Sequence, residues 1–161
     1  MIKSIIFDFD GTLVDSEKTI YECFQSITKS LAPERISYAK NILIGPPLHD
    51  TVSEILGQDN QQYLDKFINL FTEMHDKNTI KNTKPYPGVV EKLKELYNKK
   101  IPMAIATNKR EAPTIKLINF FGWKKYFNSI ECSDSDGTLR NKNEMIKAII
   151  NKDNIFSKSY Y

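Results

Sequence analysis

Two carboxylates, Asp8 and Asp10, stand two residues apart where the apolar run Ile5-Ile6-Phe7 ends, and Gly11 and Thr12 follow at once. In an extended chain, residues i and i+2 point to the same face. Both acids therefore share one side, where they repel each other unless a proton or a cation lies between them. Mg²⁺, a hard dication that takes oxygen ligands, would satisfy both. A buried apolar strand that delivers polar groups to its carboxyl end also matches the place where open parallel sheets bind ligands. Asp-Gly pairs form ordinary turns as well, but the apolar run, both acids and Gly11-Thr12-Leu13 together point past a turn.

A second strand-like run, Ile101 to Ala106, ends in Thr107-Asn108-Lys109 and leads into a helical pattern reaching about Phe121. A hydroxyl beside fresh helix N–H groups can cradle a phosphate. The same residues can equally do no more than cap the helix, and Lys109 reads either as part of the triplet or as a surface lysine. His49 and His75 lie in polar helical stretches without a second ligand at metal spacing, which predicts solvated surface histidines.

These groups need elements to hold them. Between the two strand runs lie four helical patterns: Ile20, Phe24, Ile27 and Leu31; Ile36, Ala39, Ile42 and Leu43; Leu48, Val52, Ile55 and Leu56; and Leu64, Phe67, Phe71 and Met74. Asp59 or Asn60 is the expected cap of the fourth. Four helices without an intervening strand make a separate bundle. Lys84-Pro85-Tyr86-Pro87-Gly88 reads as a stiff return linker. A further helix over Val89 to Tyr97, a weaker strand over Phe127 to Cys132 and a last helix around Met145, Ile146, Ile149 and Ile150 complete the pattern. The acidic stretch Ser133 to Leu139 repeats letters of the first motif, but a polar segment precedes it, so a surface loop is expected there.

The motif Asp8-Phe9-Asp10-Gly11-Thr12-Leu13-Val14 resembles the first motif of the haloacid dehalogenase superfamily, in its phosphoglycolate phosphatase-like branch. The resemblance implies an α/β fold: a Rossmann-like core with a parallel sheet over residues 1–15 and 85–161, and a helical cap over 16–84. It also implies a Mg²⁺-dependent phosphatase that hydrolyses a small phosphomonoester through an aspartyl-phosphate. Asp8 would be the nucleophile and Asp10 the acid and base, with both residues on the metal and the Asp10 main-chain carbonyl taking part. Thr107 resembles the phosphate-binding hydroxyl of the second motif, with Asn108 and Gly11 as further substrate contacts. Lys142, in its Lys-x-Glu-x-Ile setting, resembles the third-motif lysine that neutralises Asp8 and the phosphoryl oxygens; Lys147 comes a turn too late and Arg140 is the stand-in.

The fourth motif of that family is a strand ending in one or two metal-binding acids. Asn154 to Tyr161 reads as the approach to it, so the chain is expected to stop short, with Asp134 and Asp136 as the only substitutes. Two other readings follow: an inactive phosphate- or partner-binding remnant, and a sugar-phosphate mutase. Dehalogenation fits less well, because that branch lacks an acid at the place of Asp10.

With 161 residues, 40% hydrophobic and 27% charged, the chain is a soluble globular type with room for a real core. A net charge of +3, spread along the sequence, gives no concentrated patch for nucleic acid. No run approaches membrane-spanning length, and with a strand starting near Ser4 no leader is expected. Cys23 and Cys132 form no zinc or redox spacing, which predicts buried thiols and a cytoplasmic setting.

Overall fold

The computed structural model describes residues 3–152. The expected approach to a fourth motif, Asn154 to Tyr161, lies outside these residues. The chain divides into two compact units: the described parts of Met1–Asp15 and Lys84–Tyr161, and Ser16–Thr83.

In chain order the elements are β1 (Ile5–Phe7), β2 (Val14–Asp15), α1 (Glu17–Leu31), α2 (Ile36–Asn41), α3 (Leu48–Leu56), α4 (Leu64–Asn82), β3 (Lys84–Pro85), α5 (Val89–Asn98), β4 (Met103–Thr107), α6 (Glu111–Phe120), β5 (Ser129–Cys132) and α7 (Lys142–Lys152). The α/β unit is built on a parallel sheet in the order β1-β4-β5, with Ile5 opposite Met103 and Thr107 opposite Cys132. This is the α/β fold with a parallel sheet that the sequence predicts.

All five residues of β4 are buried, as befits the central strand of the three, whereas β1 is half-buried along its length. The fully buried strand expected at Ile5-Ile6-Phe7 is thus realised in β4, because β1 forms an end of the described sheet. Met145 and Ile149 of α7 bury themselves against Ala104 and Ala106. The small alanine side chains let the helix approach the sheet closely. The unit begins at Lys84, one residue before the expected boundary, since Lys84 and Pro85 pair antiparallel with Asp15 and Val14.

In the helical unit, Phe24 of α1 stacks on Phe71 of α4 at 4.7 Å, inside a core with Ile27, Val52, Ile55, Leu56 and Phe67. Three details depart from the sequence pattern. The second helix ends at Asn41, so Ile42 is its cap residue and Leu43 is exposed. Residues Gln58–Tyr63 form a 3₁₀ turn, so α4 starts at Leu64 rather than at a cap on Asp59 or Asn60. His75 is buried and stacks on Phe71 at 5.3 Å, because the inward face of α4 continues in steps of four through Phe67, Phe71, His75 and Thr79. His49 is exposed, as expected.

Candidate active site

The first motif leaves β1 through a tight turn. The Phe9 carbonyl accepts N–H groups from Thr12, Leu13 and Val14, at 3.3, 2.9 and 3.1 Å. Phe9 itself is fully buried, so it anchors the segment and leaves Asp8 and Asp10 on either side of it. Gly11 adopts φ +75°, a left-handed conformation that a Cβ disfavours. Its N–H donates to the Val14 carbonyl at 2.9 Å. Gly11, expected among the substrate contacts, thus spends its amide on the turn.

Each carboxylate meets a lysine. The Lys142 ammonium lies 2.8 Å from Asp8 Oδ1 and donates to the Ala106 carbonyl at 3.1 Å. The Phe9 N–H also donates to Asp8 Oδ1, at 2.8 Å. Asp8 therefore holds one oxygen fixed and keeps Oδ2 clear of the described protein partners. Lys142 occupies the first position of α7, whose start is set by reciprocal bonds: Glu144 N–H to Asn141 Oδ1 at 3.0 Å, and Asn141 N–H to Glu144 Oε2 at 2.8 Å. This is a capping box, with Asn in place of the usual hydroxyl. A cation there faces the positive end of the helix dipole, a cost that Asp8 offsets.

Lys109 reaches both oxygens of Asp10, at 3.2 and 3.1 Å. Its side chain is only 5% exposed and that of Asp10 only 15%. It is no surface lysine. The Thr107 side chain, on a residue 1% exposed, accepts the Lys109 N–H at 3.2 Å. A hydroxyl that accepts keeps its own proton to donate. Asn108 lies half-buried in the same turn.

The acidic loop after β5 buttresses this turn. Ser133 N–H donates to the Lys109 carbonyl at 3.2 Å, and Asp134 Oδ1 accepts the Glu111 N–H that opens α6, at 2.6 Å. Asp134, named above as a substitute metal ligand, has become a helix cap; the side chain of Asp136 lies outside what the structure describes. Arg140, the stand-in for Lys142, instead pairs with the buried Glu131 at 2.7 Å. Among the described residues, no group of three or more His, Cys, Asp or Glu side chains is arranged to hold a metal ion. Both cysteines are free and buried, and burial pushes their thiols up, to about 11 for Cys23 and about 12 for Cys132.

Paired acids at the carboxyl end of a parallel strand, each met by a lysine, form the candidate site of this α/β unit. The chain belongs to the haloacid dehalogenase-like hydrolase family, whose model matches residues 5–160. It is 28% identical over 138 residues to the phosphoglycolate phosphatase of Aquifex aeolicus, a match covering 84% of this chain and 63% of that protein. It is 24% identical over 151 residues to the pyrophosphatase PpaX of Halalkalibacterium halodurans, covering 93% and 68%. The chain thus spans roughly two thirds of the length of these relatives. A haloacid dehalogenase-like family protein of Streptococcus pneumoniae shares the fold, with TM-score 0.74 at 22% identity over 94% of this chain and 70% of that one.

Proposed function

We propose that this chain carries the site of a phosphatase that cleaves a small phosphomonoester through an aspartyl-phosphate on Asp8. The observation that carries the proposal is the asymmetry of Asp8: Oδ1 is held by the Phe9 N–H and Lys142, and Oδ2 is left to attack. The relatives named phosphatases support the reaction class.

Asp8 Oδ2 attacks phosphorus in line and the bond to the leaving oxygen breaks. Asp10, in its protonated form, gives that oxygen its proton. Asp10, now ionised, takes a proton from water as the water oxygen attacks the phosphorus of the aspartyl-phosphate, which restores Asp8 and releases inorganic phosphate. Lys142 balances charge on Asp8 and on the phosphoryl oxygens, and Thr107 donates to one of those oxygens. Such preorganised donors supply much of the rate in phosphoryl transfer.

A charge count supports Mg²⁺. Asp8 is already matched by Lys142, so even with Asp10 protonated the charge of about −2 on an arriving phosphate exceeds what the two lysines leave over. The donors fit, since a carboxylate oxygen of Asp8 and the main-chain carbonyl of Asp10 are hard ligands. Bound there, Mg²⁺ would supply charge neutralisation to the phosphate. The helical unit is proposed as a cap that selects the substrate, a small phosphorylated metabolite, and buried reduced thiols suit a cytoplasmic setting.

The test is Mg²⁺-dependent release of nitrophenol from p-nitrophenyl phosphate by the 161-residue chain, with Asp8→Asn as control. Turnover that falls more than about 10³-fold in the control supports the proposal. A folded chain that binds inorganic phosphate but never turns over would overturn it in favour of a binding protein.

A further inference from the structure

We infer that Lys109 is a positioning residue for Asp10, orienting its carboxylate for proton transfer to the leaving group. The inference rests on the phosphatase reading above and adds to it a residue that acts through Asp10.

The geometry argues for a built contact. Burying an ammonium is costly unless it is paired and hydrogen-bonded, and Lys109 is nearly inaccessible with its nitrogen within 3.2 Å of both Asp10 oxygens. Contact with both oxygens holds the carboxylate end against Lys109 and limits how far the Asp10 side chain can swing away. The lysine is itself fastened from both sides: its N–H donates to Thr107 and its carbonyl accepts from Ser133. Asp134 holds the next turn through Glu111. The acidic loop after β5 thus stiffens the backbone from which Lys109 reaches Asp10. A general acid must sit within hydrogen-bond reach of the oxygen it protonates, so a side chain free to swing away would lose much of its effect.

The consequence depends on the leaving group. Nitrophenolate departs without a proton, whereas the alkoxide of glycerol 2-phosphate needs one. Rapid-quench measurement of phosphoenzyme formation from each compound, in the wild type and in Lys109→Met and Lys109→Arg, separates the two cases. For Lys109→Met we expect formation from glycerol 2-phosphate to slow about 30-fold or more, within the range of general acid catalysis. Formation from p-nitrophenyl phosphate should change less than about threefold, because little acid assistance is needed there. Lys109→Arg, which keeps a cation of similar reach, should recover part of the loss on the alkyl substrate. Equal losses on both substrates in a folded Lys109→Met chain, or no loss on either, would overturn the inference. A wild type that forms no phosphoenzyme at all would instead remove the phosphatase reading, and the role of Lys109 with it.

Discussion

The Lys142 ammonium bridges the carboxylate of Asp8 and the carbonyl of Ala106, at 2.8 and 3.1 Å, and so ties the first turn of α7 to the ends of β1 and β4. A cation at a helix N-terminus works against the dipole. Its value lies in what it faces. Lys142→Met should lower kcat/KM for p-nitrophenyl phosphate by about 10²- to 10³-fold, the usual cost of one preorganised charge. The urea midpoint should hold or rise, because the unfavourable helix-start charge is gone. A parallel fall in stability and activity would mean that Lys142 serves the fold.

Glu131 stands opposite Ala106 in the sheet register and gathers Arg140, just before α7, at 2.7 Å and Lys152, the last residue of α7, at 2.9 Å. Its side chain and that of Arg140 are largely buried, while Lys152 is more than half exposed and contributes little. Glu131→Gln removes the carboxylate that Arg140 meets at 2.7 Å and should cost about 3 kcal/mol in urea unfolding, as breaking a buried pair does. Lys152→Ala should cost less than about 1 kcal/mol.

Lys100 adopts φ +56° just beyond α5, where its N–H donates to the Tyr97 carbonyl and the next N–H, of Ile101, to that of Leu96. This helix ending normally takes glycine. Lys100→Gly should raise stability by roughly 0.5–1 kcal/mol by removing the left-handed penalty, less the entropy that glycine adds to the unfolded chain. Differential scanning calorimetry reads the sign directly.

Desolvation raises the thiols of Cys23 and Cys132 from 9.0 to about 11 and about 12, with Glu22 adding at the first and Glu111 and Asp134 at the second. A raised thiol favours the protonated form in the folded chain. The resulting stability is fully present below pH 9.0 and is lost as pH climbs toward 11 and 12. Iodoacetamide at pH 8 should therefore label neither cysteine until urea unfolds the chain. Replacing both with alanine should flatten the decline of the urea midpoint above pH 9.0.

The parts of the site that were legible in the sequence are those with local signals. Asp8 and Asp10 announce themselves by their spacing at a strand end, and Lys142 is reached through its resemblance to the third-motif lysine of the family. The sequence leaves Lys109 between two readings, part of the Thr107-Asn108-Lys109 triplet or a surface lysine, because its meaning depends on Asp10, far away in the chain. His75 departs from expectation for a related reason: a polar residue in a polar stretch suggests solvent, but steps of four from Phe67 and Phe71 carry it into the core. The helix boundaries near Leu43 and Asp59 slipped because tertiary contacts and a 3₁₀ turn, rather than propensity, end and start those elements.

The pairing of Asp15 with Lys84 brings the exit and the re-entry of the α/β unit side by side. The whole helical insert is therefore closed off at its base by a single short ladder, and its length places no stretch on the parallel sheet. In engineering terms the unit is modular: a two-residue hairpin turn between Asp15 and Lys84 could replace the insert without a change of strand register. The same arrangement lets inserts of other sizes be exchanged at that point, while the chemistry-bearing turns stay where the sheet holds them.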